Sequence, residues 1–172
     1  MHPHDDTRIL LLEDSDIDAD LICRSLDKMN RGFHIERARI RQEFERSLQR
    51  GSFDLVLADY SIPGISGTDA LDMVRQQDTA VPFVYVSGVL GEDFATEALR
   101  AGATDYVTKK HLARLPMVVQ RALVEASERH QRKFVTQALL ESEERFRVMA
   151  DAAPALIWEA DARGEIIFAS SW

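Results

Sequence analysis

Three carboxylates stand directly behind short apolar runs. Glu13 and Asp14 follow RILLL, and Asp59 follows FDLVLA. Such short, largely apolar runs are strand candidates, too short for a helix, so these acids fall at strand ends. If neighbouring strands bring them together, the unpaired repulsion is on the order of 4 kcal/mol per close pair at an effective dielectric near 20. A hard divalent cation relieves that repulsion. Mg²⁺ suits the donors best, because it takes a few carboxylates, retained waters and phosphate oxygens. Two further strand candidates end in Ser87 and Lys109, a hydroxyl donor and a cation. A carboxylate nucleophile, a metal, a hydroxyl and a lysine are the parts that stabilise charge on a transferring phosphoryl group.

The elements that must position these groups alternate along the chain. RILLL (8–12), FHIERA (33–38), FDLVLAD (53–59), PFVYVSG (82–88) and ATDYVTK (103–109) read as strands. Between them, Ala19, Ile22, Cys23 and Leu26 recur at helical spacing, as do Phe44 with Leu48 and Ala70, Leu71 with Val74. Gly51 and Gly102 stand where helices should end. Five βα units with continuously apolar strands predict an α/β fold, a five-stranded parallel sheet covered on both faces. Functional groups in such sheets gather at the carboxyl ends of the strands, beside the switch point.

Composition narrows the partners. The chain has 172 residues, 45% hydrophobic and 29% charged, enough for one domain and an appendage. A formal net charge of -8 argues against a nucleic-acid surface. Arg37, Arg39 and Arg41 are flanked by the acids Glu36 and Glu43 and read as a solvated face. The single cysteine, Cys23, excludes an internal disulfide and suits a reducing cytosol. No apolar run approaches the ~20 residues that cross a bilayer, and MHPHDDTR lacks a signal-peptide layout. The cytoplasm is the expected compartment.

Beyond Arg129 the pattern changes. Residues 117–150 contain no Gly or Pro and can run as one helix of roughly 50 Å at ~1.5 Å per residue. Val119, Leu123 and Ala126 follow heptad spacing, and so do Val135, Leu139, Phe146 and Met149, but the two runs are out of register across ERHQRK. The later stripe reads as a dimer or domain-linking surface. ALIWEA and EIIFAS, joined through DARG, predict a β-hairpin.

The stretch from RILLLED through LVLADYSIPGISG and YVSG to AGATDYVTK resembles the receiver domain of two-component response regulators. The resemblance implies a doubly wound, flavodoxin-like fold over 1–129, with Asp59 as phosphoacceptor and a histidine kinase or phosphotransfer protein as donor. It implies that Asp14 ligates Mg²⁺ directly, Glu13 mostly through water, Asp59 itself, and Ser61 through its backbone carbonyl. Ser87 and Lys109 would grip the phosphoryl oxygens, and Tyr106 would be an aromatic switch that turns inward when Ser87 moves. The family's proline after the lysine is replaced by Lys110, which predicts a trans bond there. The segment ESEERFRVMADAAPALIWEADARGEIIFASSW resembles the opening of a PAS domain. It implies a signalling linker helix over 130–150, a partial PAS hairpin over 151–172, and an N-terminal fragment of a hybrid sensor kinase or PAS-containing regulator.

Competing readings use the same residues. An aspartyl phosphatase of the haloacid dehalogenase kind wants a second Asp two places after the nucleophile, where Ser61 stands. A calcium loop from Asp14 needs Gly and Glu where Ala19 and Ser25 stand. Asp16 and Asp18 are explained as acids complementing a helix dipole. His130 sits in ERHQRK without the neighbours of a kinase phosphoacceptor and reads as solvated. His2 and His4 could bind stray metal, but a disordered terminus is the expectation there. The expected protein is a switch, not an enzyme acting on an external substrate, and the third alternative is a phosphorylation-independent dimerisation module.

Overall fold

The computed structural model describes residues 7–88, 92–152, 158–161, 163 and 165–169. His2, His4, Ala155 to Ile157 and the last three residues fall outside them. The five expected strands form as β1 (Thr7–Leu12), β2 (Phe33–Ala38), β3 (Leu55–Ala58), β4 (Phe83–Ser87) and β5 (Asp105–Thr108). They pair in the order β2-β1-β3-β4-β5, all parallel. Helices α1 (Asp16–Asp27), α2 (Arg41–Arg50), α3 (Gly67–Gln77) and α4 (Glu92–Arg100) alternate with the strands. A 3₁₀ turn (Lys109–Arg114) then leads into α5 (Leu115–Ala152).

The period of two along the central strands divides the core. Leu10, Leu12, Val56, Ala58, Phe83 and Tyr85 face one way, onto Phe44 and Leu48 of α2 and Ala70, Leu71 and Val74 of α3. Ile9, Leu11, Leu55, Leu57, Val84 and Val86 face the other, onto Ala19, Ile22 and Leu26 of α1 and Leu115, Val118, Val119 and Ala122 of α5. Two helical layers therefore sandwich the sheet, and every side chain of β1 from Ile9 onward, β3 and β4 is buried.

Local chemistry starts and stops the elements. Ser15 caps α1, its hydroxyl accepting from the Asp18 amide at 3.3 Å. Ser66 and Asp69 form a capping box on α3. Pro63 and Gly64 turn the chain between a two-residue ribbon, Ser61–Ile62 with Ile65–Ser66, and Gly64 takes φ 82°, the left-handed conformation such a turn requires. Gly102 ends α4 at φ 101°. Gly51 ends α2 differently from the expected left-handed cap, since its backbone is extended. No described peptide bond is cis, Lys109–Lys110 included.

The long helix differs from its heptad reading at its start. Val119 is buried, and Leu123 packs half-buried, against the sheet. That face is consumed by the sheet's own core and cannot also form a seam. From Ser127 to Met149 every helical residue is exposed. The chain divides into two compact units, ending at Ser127 and beginning at Glu128. In the second, Trp158–Ala160 and Ile166–Ala169 pair antiparallel as the expected hairpin, with an irregularity between Glu159 and Ala160. No described helix is long and apolar enough to cross a membrane.

Candidate functional site

The register of the sheet carries the acids to one level. Leu12 pairs with Ala58, so Glu13 and Asp59 leave their strands side by side. The Asp59 amide donates to the Leu12 carbonyl at 2.9 Å, and the Glu13 amide to Ala38 at 3.0 Å. Ser87 pairs with Thr108, which sets Lys109 one residue beyond the end of β5, next to the end of β4. A methyl group placed on Gly88 would sit 3.9 Å from the Lys109 Cδ, so the loop after Ser87 runs against the lysine stem.

One ammonium organises the cluster. Lys109 Nζ donates to Asp18 Oδ2 at 2.6 Å and to Asp59 Oδ2 at 2.7 Å, and lies 2.8 Å from Glu13 Oε2. The last contact is ionic and lacks hydrogen-bond direction, so buried Glu13 Oε2 keeps an unsatisfied lone pair. Its other oxygen accepts from the Ser15 amide at 3.0 Å. Asp59 Oδ1 accepts from the Tyr60 amide at 2.6 Å, with the Ser61 amide further off at 3.5 Å. Asp59 is buried and Glu13 fully so.

The titration of the cluster follows its burial. Removal from water pushes the Glu13 carboxyl above its usual range, and the adjacent Lys109 ammonium only partly opposes this. Burial alone would depress Lys109. The carboxylates of Asp18, Asp59 and Glu13 around it outweigh burial and hold the ammonium above its ordinary value. One cation against three carboxylates still leaves the group two units negative when all are ionised.

The other residues expected at the site are placed as follows. Asp14 is exposed and its carbonyl accepts from Arg37 Nη2 at 2.9 Å; its side chain is not in the Lys109 network. Ser61 is exposed at the start of the ribbon. Ser87 is buried at the end of β4. Tyr106 is half-buried in β5, across from Tyr85 and against the same apolar cluster. Among the described residues no three His, Cys, Asp or Glu are arranged to hold a metal ion as they stand.

Two participants escaped the sequence reading. Asp18, explained there only as a helix-dipole acid, is a direct partner of Lys109. Arg37, expected on a solvated face, bridges both sides of the β1–α1 turn. Its Nε donates to the Glu13 carbonyl at 2.8 Å and its Nη1 to Asp16 at 2.6 Å, while Arg39 holds Asp16 at 2.7 Å. The signal for Arg37 was available: with β2 parallel to β1, Arg37 pairs with Leu11 and ends beside the acidic turn.

The loop after Asp59 is held by close packing. Tyr85 is fully buried, meets Tyr60 edge-on at 6.0 Å, and donates its hydroxyl to the Gly67 carbonyl at 2.8 Å. The Gly67 amide in turn donates to the Tyr60 carbonyl at 2.8 Å. A β-carbon on Gly67 would fall 2.5 Å from Tyr60 Cδ2 and 2.9 Å from the Tyr60 Cα, so only glycine fits.

Comparison with known proteins agrees with this architecture. The family described as "Response regulator receiver domain" matches residues 9–120. YrkP of Bacillus subtilis, an uncharacterized transcriptional regulatory protein, is 36% identical over 104 residues, 59% of this chain and 42% of that protein. The regulatory protein AtoC of Escherichia coli is 38% identical over 87 residues, 50% of this chain and 19% of that protein. The chain thus spans less than half the length of either relative. A response regulator receiver domain protein from Methanospirillum hungatei, described as CheY-like, superposes with a TM-score of 0.65 at 23% identity, covering 73% of this chain and 99% of that one. That last likeness is one of fold.

Proposed function

Since the chain belongs to the response regulator receiver family, we propose that it is a phosphoacceptor switch in which Asp59 takes a phosphoryl group from a histidine kinase or phosphotransfer protein. The observation that carries this reading is the state of the Asp59 carboxylate. One oxygen is held by an ammonium at 2.7 Å and the other by a backbone amide at 2.6 Å, at the carboxyl end of the sheet. In the transfer, an Asp59 oxygen bonds phosphorus as the P–N bond of the phosphohistidine breaks, and the nitrogen leaves with the electron pair. Lys109 and the Ser87 hydroxyl would stabilise the charge on the phosphoryl oxygens. Tyr106 would report the change by turning inward when Ser87 moves. Water later returns the carboxylate and inorganic phosphate, so the chain acts on no external substrate.

The donor types are those Mg²⁺ takes: buried Glu13 Oε2 accepts no hydrogen bond, and this ion prefers hard oxygens. Glu13, Asp14, Asp59 and the Ser61 carbonyl would hold it. When bound, it would supply charge neutralisation for the phosphoryl group.

The exposed stripe of Val135, Leu139, Phe146 and Met149 favours a second role for α5, as a homodimer surface that links the switch to a following PAS segment. A dimerisation module that ignores phosphorylation is the alternative. Neither reading needs nucleic acid or a membrane, and both suit the cytoplasm. Acetyl phosphate or phosphoramidate with Mg²⁺ should add one alkali-labile phosphoryl group, and Asp59→Asn should abolish it. Labelling that persists in Asp59→Asn overturns the acceptor assignment.

A further inference from the structure

The Lys109 ammonium has three protons and three carboxylate neighbours. Two of its protons are committed to Asp18 and Asp59, and Glu13 Oε2 crowds the nitrogen at 2.8 Å. To grip a group arriving at Asp59, it must let one neighbour go, and the three are not equally easy to release. Glu13 is wholly buried, so parting from it would strand a carboxylate away from water. Asp59 is the residue that carries the phosphoryl group and stays beside the lysine. Asp18 has a side chain 32% exposed, so water can take over its hydrogen bonds. It is also the nearest partner, at 2.6 Å.

Asp18 is held in place independently of the lysine. Its amide is capped by Ser15, and α1 is anchored by buried Ala19 and Ile22 and by the Arg37–Asp16 pair. Its carboxylate therefore remains next to the ammonium while other groups come and go.

We propose that Asp18 is a positioning residue that competes with the incoming phosphoryl group for Lys109. It parks the ammonium in the unphosphorylated protein and takes it back as the phosphoryl group departs. This inference rests on Asp59 being the acceptor. Asp18 thereby slows capture of the donor and shortens the life of the acyl phosphate. A carboxylate that only served the helix dipole would do neither.

The test uses the full chain at one fixed, saturating Mg²⁺ concentration, with phosphoramidate as donor and phosphorylated protein resolved by gel shift. Asp18→Asn should raise the phosphorylation rate at low donor about three- to tenfold, as removal of one partly solvated charge from a phosphate-binding site should do. It should lengthen the phosphorylated half-life by a similar factor. Asp18→Glu keeps the charge and should stay near the parent protein in both. Without donor, the Lys109 ammonium signal in ¹⁵N NMR, assigned by its loss in Lys109→Met, should exchange with water faster in Asp18→Asn. If the parent is labelled and Asp18→Asn matches it in rate and half-life, the competition is disproved while the acceptor reading stands. An Asp18→Asn protein that is labelled more slowly also disproves it, since Asp18 would then assist. A parent chain that takes no label removes the acceptor reading and this inference with it.

Discussion

Replacing Lys109 with methionine isolates the ammonium's contribution to folding. Its three carboxylates lie at 2.6, 2.7 and 2.8 Å, and its side chain is only 15% exposed. At such distances and an effective dielectric near 20, each gross attraction is on the order of 6 kcal/mol. Desolvation offsets most of that. What remains is the cost of leaving the carboxylates without their partner, about 3–5 kcal/mol for a buried site. Against a total stability of about 5–15 kcal/mol, a loss of this size is large. Urea unfolding in a chelating buffer at pH 7 measures it directly, as a shift in midpoint at constant slope. The pH dependence adds a sign. Glu13 already titrates above its ordinary 4.5, chiefly from burial, and losing Lys109 removes what pulls it down. A carboxyl raised in the folded state contributes fully below pH 4.5, and the contribution is lost as pH rises through the folded value. The penalty of Lys109→Met should therefore shrink as pH falls toward 4.5. Adding Glu13→Gln should recover part of it at pH 7. A penalty under about 1 kcal/mol, or one that grows with acid, refutes the claim that this lysine lets the carboxylates coexist.

Two further outcomes test the frame around the site. Gly67→Ala drives a methyl into Tyr60 and Tyr85, and the Tyr60 contact includes backbone that cannot swing away. Overpacking of this kind costs about 1–3 kcal/mol and should lower the melting temperature by roughly 5–15 °C; a calorimetric shift below about 2 °C would show that the loop simply yields. A chain ended at Ser127 should still take phosphoryl on Asp59 but lose the self-association assigned to Val135, Leu139, Phe146 and Met149. Size exclusion with light scattering reads this, and undiminished association would move the contact to the receiver face.

The parts of the fold that were legible are those dictated by nearest neighbours in sequence. Strands buried on both faces must be apolar throughout, and Leu55 to Ala58 and Phe83 to Val86 announce themselves that way. Glu13, Asp59, Ser87 and Lys109 stand directly at or behind such runs, so knowing the strands places the residues. Asp18 was not legible, because its bond to Lys109 spans 91 positions and depends on how the 3₁₀ turn after β5 aims the lysine at α1. Arg37 needed the pairing of β2 with β1, which an edge strand of mixed polarity signals only weakly. The register break in α5 was visible, but its meaning came from burial. Leu115, Val118, Val119 and Ala122 cover the sheet, and from Ser127 onward the helix exposes every residue through Met149. A helix that changes what it packs against has no reason to keep one apolar stripe. The charged ERHQRK stretch begins where burial by the sheet has ended, and the later stripe can take its own phase. The break therefore marks the point at which the helix passes from one task to another, and it is no evidence against a seam beyond it.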